Sequence, residues 1–175
     1  MQHLLVEIKA HTTQASQIRE FLKANAADFK GIDHQIDTYF KVNRGRLKLR
    51  EGNIENHLIQ YDRPNQAEAK TSEVLLYKSN PESNLKSILI NSLGVLVVVK
   101  KKREIYFIDN VKFHIDEVEQ LGHFVEIEAI GIKGENNESD LRQQCLSYQQ
   151  ALDIQPQDLI EISYSDMLLQ KLETS

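Results

Sequence analysis

The sequence predicts a mainly β domain with flanking α-helices, an α+β chain in which eight antiparallel strands close into a barrel. Three observations predict it. Eight segments rich in β-branched, aromatic or alternating residues are separated by Gly, Asn and Asp turn chemistry. Between and after them lie stretches with apolar residues at three-to-four spacing, as amphipathic helices require. Several of the strand-like segments also carry charge at every second residue. In Gly45-Arg46-Leu47-Lys48-Leu49-Arg50-Glu51, a strand puts Arg46, Lys48 and Arg50 on one face and Leu47 and Leu49 on the other.

His3 to Ala10 reads as the first strand, with Glu7 and Lys9 on one face and Val6 and Ile8 on the other. Thr12 or Thr13 offers an N-cap oxygen to a helix reaching about Ala27, whose stripe is Ala15, Ile18, Phe21, Leu22 and Ala26, with Gly31 as its stop. His34 to Val42 pairs with the cationic strand as a hairpin about Asn43-Arg44-Gly45. After the turn Glu51-Gly52-Asn53, Ile54 to Arg63 is a strand ended by Pro64, and Asn65 to Lys70 is a polar loop. Ser72 to Lys78 is the next strand. Asn80-Pro81 caps a helix with the stripe Leu85, Ile88, Leu89 and Leu93 that stops at Gly94. Val95 to Asp109 has no internal Gly or Pro and reads as one long bent strand. Val111 to Glu119 and His123 to Ile130 follow, parted by turns at Asp109-Asn110 and Gln120-Leu121-Gly122. Beyond Gly134, Leu141, Cys145, Tyr148 and Leu152 mark a helix, and after Pro156 a final short helix runs through Met167, Leu168 and Leu169.

At 175 residues and 41% hydrophobic content, the chain fits a single domain over residues 1–175. A net charge of −5 argues against a general nucleic-acid binder, which needs a cationic excess to displace counterions. The cations are bunched, however: Lys41, Arg44, Arg46, Lys48 and Arg50 occur with no acid among them, and Lys100 to Arg103 is an unbroken cationic run. Local basic patches on an acidic protein point to a small anionic ligand. Cys145 is the single cysteine, which excludes an intrachain disulfide and a cysteine-built zinc cluster and fits a reducing compartment. Met1-Gln2-His3-Leu4-Leu5 is no basic region before a long apolar run, and no segment approaches the ~18 apolar residues of a membrane span. A cytoplasmic protein without a membrane partner is expected.

Glu7/Lys9, Lys101/Arg103, His114/Asp116 and Glu126/Glu128 repeat the period-two charge of the cationic strand. In an ordinary barrel these rows face water and the intervening aliphatics fill the core. In a tunnel the rows face inward and helices at 13–27, 81–93 and 135–152 cover an apolar outer wall. Both orientations stay open on the residues alone. Inward charges are tolerable only when paired, hydrated or matched to a ligand. A triphosphate with a divalent cation would satisfy both signs, cations meeting phosphate and carboxylates holding Mg2+ or Mn2+.

The chain resembles the CYTH superfamily, the triphosphate tunnel enzymes, and within it the class IV adenylyl cyclase branch. The resemblance rests on Val6-Glu7-Ile8-Lys9, Gln35-Ile36-Asp37-Thr38-Tyr39-Phe40, the Gly45 to Glu51 strand, Tyr61-Asp62-Arg63-Pro64, Lys101 to Tyr106, His114 to Gly122, Phe124-Val125-Glu126-Ile127-Glu128 and Ser163 to Leu168. It implies an eight-stranded tunnel with a charged lumen. Lys9, Arg46, Lys48, Arg50, Arg63, Lys101 and Arg103 would contact phosphates, and Lys70 is a further phosphate candidate. Glu7, Glu126 and Glu128 would bind metal, with Asp116 supporting that site or orienting a cation. The family's opening Glu-x-Glu-x-Lys has Leu5 at its first glutamate, so one carboxylate is missing. The implied function is a metal-dependent enzyme acting on ATP or a tripolyphosphate-like molecule. In the cyclase version it makes cyclic AMP and pyrophosphate; the alternatives are hydrolysis of tripolyphosphate or thiamine triphosphate, and a module that binds without turnover. Lys9 or Lys70, deprotonated among crowded cations, is the candidate general base. Asp37 is expected to hold a neighbouring cation, His114 and His34 to be hydrogen-bonded barrel residues, and Tyr39 and Tyr106 to pack. The last two helical segments either plug one barrel end or form a homodimer contact.

Overall fold

The computed structural model describes residues 3–62 and 68–175. The elements are β1 (His3–His11), α1 (Ala15–Ala24), β2 (Asp28–Phe40), β3 (Arg46–Glu51), β4 (His57–Asp62), β5 (Lys70–Lys78), α2 (Leu85–Leu93), β6 (Val95–Ile108), β7 (Val111–Val118), β8 (Gly122–Ile132), α3 (Glu138–Ala151) and α4 (Tyr164–Glu173), with a 3-10 turn at Pro156–Asp158. The eight strands pair antiparallel and close in the order β1-β5-β4-β3-β2-β6-β7-β8, with β8 returning to β1. Closure gives every strand a neighbour on both sides. No helix among the described residues is long and apolar enough to cross a membrane.

The charged rows face inward, and the barrel's main core therefore lies outside it. Ile18 and Leu22 of α1 and Leu141 and Cys145 of α3 pack on the outward Val6, Ile8, Val111, Phe113, Val125 and Ile127, all essentially buried. A second core fills one end of the lumen. Tyr164 and Leu168 of α4, with Ile160 before it, pack among inward Tyr39, Val97, Val99, Val118 and Phe124. Of the last two helical segments, α4 plugs this end of the barrel, whereas α3 packs on the outer wall. Ser163 caps α4 by accepting the Asp166 amide at 3.1 Å.

Several boundaries differ from expectation for local reasons. The helix α1 stops at Ala24, not near Ala27: the Asn25 side chain donates to the Phe21 carbonyl at 2.8 Å and Ala26 takes φ 52°. Gly31 is no helix stop but lies inside β2 at φ 120°, where the register against β6 slips and an added Cβ would come 3.1 Å from Ile54 Cδ1. The fourth strand begins at His57, because Asp33 accepts the amides of Ile54 at 2.9 Å and Glu55 at 3.0 Å and holds both as a loop. Lys70 opens β5 opposite Glu7 and is not in a polar loop. Arg63 and Pro64 lie outside the described residues. The helix expected from Pro81 begins at Leu85, and Asn80 caps a preceding turn through the Glu82 amide at 3.0 Å. It covers the wall thinly: none of its residues is fully buried, and Ile88 is 58% exposed.

Candidate functional site

The unplugged part of the lumen is a cavity of about 250 Å3 with α4's Tyr164 at its floor and Glu55 and His57 near its mouth. Period-two alternation sends Lys48 and Arg50 (β3), Lys101 and Arg103 (β6), Lys112 and His114 (β7), Glu126 and Glu128 (β8) and Glu7 and Lys9 (β1) to its wall. Ten charged or titratable side chains thus converge from five strands on one cavity.

The cations are held by two buried aspartates. Asp37 takes Lys48 at 3.1 Å, Arg50 at 2.8 Å and Lys101 at 2.9 Å. Burial works to raise the Asp37 carboxyl, but Arg50, Lys101 and Lys48 together hold it well below the usual carboxylate range. Asp37 therefore has the electrostatic role expected of it. Lys101 is pushed down to about 7 by burial and by the neighbouring Arg103, Arg50 and Lys48, which outweigh Asp37. Asp116 binds Arg103 in a fork, Nε to Oδ1 at 2.7 Å and Nη2 to Oδ2 at 2.6 Å, and also accepts the Tyr164 hydroxyl at 2.8 Å.

The predicted metal group is not assembled as expected. Among the described residues, no group of three or more His, Cys, Asp or Glu side chains is placed to hold a metal ion. Asp116 is committed to Arg103, and Glu126 takes Arg103 at 3.0 Å, His114 Nδ1 at 2.9 Å and Lys9 at 3.7 Å. Glu7 and Glu128 are cross-strand partners facing the lumen, and Glu7 also lies 4.0 Å from the Lys9 ammonium. Burial and the charges of Glu7 and Glu126, opposed by Lys112, push the Glu128 carboxyl up to about 7. Such a carboxylate pair fits a hard divalent cation. Mg2+ is commonly held by one or two carboxylates, with phosphate oxygens and water completing the shell.

Two further residues are placed differently from a phosphate contact in this cavity. Arg46 shares the inward face of β3 but reaches the plug, pairing with Asp166 at 2.8 Å and donating to Ser163 Oγ at 2.7 Å. Lys70 is buried and donates to the backbone carbonyls of Ile160, at 3.1 Å, and Glu161, so it anchors the segment entering α4. Lys9 does reach the cavity, its ammonium 4.2 Å from the centre of the Tyr164 ring.

Sequence reasoning passed over Glu55 and Lys112, which pair with each other near the mouth, Glu55 also taking Arg50 at 3.1 Å. Lys112 continues the His114/Asp116 alternation and was legible by period. Glu55 was not, since Asp33 swings it in from a loop. His114 is a barrel residue as expected: burial and Arg103 lower it to about 4, so it is neutral. The Glu126 carboxylate then accepts a hydrogen bond from Nδ1–H, and buried Nε2 has no hydrogen-bond partner among the described residues.

Comparisons with known proteins agree with this architecture. A protein of Methanocaldococcus jannaschii, named "Putative adenylate cyclase", is 28% identical over 174 residues, covering 93% of this chain and 97% of its own length. The solved structure of the PH1012 protein from Pyrococcus horikoshii superposes with a TM-score of 0.77 at 24% identity, covering 93% of this chain and 98% of that one. A Hippeastrum structure, described as a "putative adenylyl cyclase" that reveals a dominant triphosphatase activity, superposes with a TM-score of 0.62 at 13% identity, covering 98% of this chain and 96% of that one. A family model described as the CYTH domain matches residues 3–164, nearly the whole chain. The chain belongs to the CYTH domain family.

Proposed function

We propose that the cavity binds a triphosphate with a divalent cation, Mg2+ or Mn2+, and that the protein is an enzyme converting ATP to cyclic AMP and pyrophosphate. The observation that carries the reading is the convergence of Lys48, Arg50, Lys101 and Arg103 on the same cavity as the Glu7/Glu128 pair. Cationic and acidic side chains line the same lumen, which supports binding of a phosphate chain together with a divalent cation. The membership of the CYTH domain family and the name of the M. jannaschii relative support the cyclase chemistry.

Lys48, Arg50, Lys101 and Arg103 bind and orient phosphate oxygens, and charge developing on the leaving pyrophosphate is stabilised by the same groups. Asp37 and Asp116 are positioning residues that fix the cations before any ligand arrives. Glu7 and Glu128 would hold the divalent ion, which supplies Lewis-acid polarisation of a phosphoryl oxygen. The ribose 3′-hydroxyl attacks the α-phosphorus, the bond to the bridging oxygen breaks, and the hydroxyl proton passes to a base. Lys9, within reach of the cavity, is the candidate for that base as the neutral amine; Glu126 at 3.7 Å and Glu7 at 4.0 Å favour its ammonium form, so it must first give up a proton to solvent before it can accept the one from the hydroxyl. Arg63 is retained as a phosphate contact on the family resemblance alone.

The second reading is hydrolysis of a terminal phosphate by the same cationic wall. It is favoured by the triphosphatase activity described for the Hippeastrum structure and by Leu5, which leaves the acidic wall one carboxylate short. Turnover of ATP, tripolyphosphate and thiamine triphosphate with Mg2+ and with Mn2+ separates the readings. Cyclic AMP with pyrophosphate supports the cyclase and orthophosphate supports the hydrolase. Tight binding without any product refutes both in favour of a binding module.

A further inference from the structure

The loop between β3 and β4 carries a carboxylate into the cationic wall. Asp33 accepts the amides of Ile54 at 2.9 Å and Glu55 at 3.0 Å, and the Asn56 side chain bonds both the amide and the carbonyl of Gly52. The loop backbone is thereby fixed, with the Glu55 side chain at the cavity. Its carboxylate accepts from Arg50 Nη1 at 3.1 Å, from the Lys112 ammonium and from Gln35 Nε2 at 3.2 Å. Those donors come from β3, β7 and β2. In the closed order β3 and β7 are not neighbours, since β2 and β6 lie between them on the shorter way round. Glu55 is therefore a bar drawn across the lumen, tying together two separate sides of its wall.

Three donors converging on one carboxylate, two of them cationic, are what an anion needs. The guanidinium nitrogen of Arg50 not committed to Asp37 is Nη1, and Glu55 holds it. Burial works to raise the Glu55 carboxyl, but Lys112, Arg50 and His114 hold it well below the usual carboxylate range, so it meets these donors as an anion. Asp37 and Asp116 pair with cations too, but they are at most 1% exposed and fixed by strand register. The Glu55 side chain is 16% exposed, and rotating it toward water needs no movement of the loop backbone. We infer that Glu55 is an internal competitor for the ligand: its carboxylate fills an anion subsite formed by Arg50, Lys112 and Gln35, and a phosphate group coming into the lumen displaces it. This rests on the triphosphate reading above and adds an autoinhibitory contact to it. Apparent affinity is then lowered by the fraction of molecules in which Glu55 occupies the subsite.

The test is isothermal titration of the full chain, in Mg2+, with tripolyphosphate and with ATP. Glu55→Gln keeps the length of the side chain and removes its charge. It is expected to tighten whichever ligand binds by about tenfold, the change that follows if Glu55 fills the subsite in about nine molecules of ten. Glu117→Gln removes the same charge from an exposed position of β7 outside the cavity, and is expected to change binding by less than about twofold, which separates displacement from a change in net charge. Lys112→Gln is expected to weaken binding by about twofold or less in the wild-type chain and by about fivefold or more in the Glu55→Gln background, where Lys112 is released to the ligand. Unchanged circular dichroism confirms that each variant folds. Tightening in Glu55→Gln no greater than in Glu117→Gln, weaker binding in Glu55→Gln, or equal losses from Lys112→Gln in the two backgrounds overturns the displacement and leaves the triphosphate reading standing. If neither ligand binds the wild-type chain or Glu55→Gln, both readings fall.

Discussion

Replacing Asp37 by Asn keeps the shape of the side chain and removes the one charge that Lys48, Arg50 and Lys101 share. Asp37 is fully buried, and Arg50 binds it through both Nε at 2.9 Å and Nη2 at 2.8 Å. Removing one member of a buried ion cluster commonly costs about 3–5 kcal/mol, because the remaining charges stay buried without compensation. Here the loss should fall toward the lower end, about 3 kcal/mol, since Lys101 already sits near 7 and can shed its proton when Asp37 is neutralised. For a chain of this length that lowers Tm by roughly 6–12 °C. Urea denaturation at neutral pH measures the effect. The double variant with Lys101→Met should recover part of it, a coupling that independent sites would not show. A loss below about 1 kcal/mol, or strict additivity with Lys101→Met, would refute the assignment of Asp37 as the organiser of the cationic wall.

Glu128→Gln should leave the fold intact, because a carboxyl near 7 is already half protonated at neutrality and glutamine resembles that form. It should lower Mn2+ affinity by about tenfold or more, read by titration calorimetry. In Gly52→Ala the new Cβ would lie 2.4 Å from Asp33 Oδ1, displacing the carboxylate that holds the Glu55 amide. Overpacking of this kind costs about 1–3 kcal/mol, measurable by chemical denaturation. Lys101 carries a folded-state pKa of about 7, below its unfolded value. The unfolded chain therefore binds more protons between about 7 and 10, and stability should rise with pH across that window; Lys101→Met should remove that part of the slope.

The inward and outward faces were legible in the sequence because strand periodicity is a local property. Lys48 and Arg50 reach one cavity with Lys101 and Arg103, as alternation and resemblance together implied. Depth along the barrel was not legible. Arg46 has the same period as Lys48, yet lies beyond the floor against Asp166, and Lys70 is drawn to the carbonyls of Ile160 and Glu161. Both outcomes are set by where a segment 90 residues and more downstream of Lys70 packs, which no local pattern encodes. The same holds for Glu55, whose place depends on Asp33 twenty-two residues before it.

The α4 plug makes the lumen a blind passage. Traffic through a blind passage runs last in, first out. On the proposed triphosphate reading, a ligand whose phosphates meet Lys101 near the floor would enter that end foremost, and a fragment left there after bond cleavage would leave behind the other product. Exit order is then fixed by topology rather than by relative affinity. On that reading the seat of α4, salt-bridged to Arg46 and tied to Lys70 through the carbonyls of Ile160 and Glu161 before it, is a kinetic element as well as a packing one.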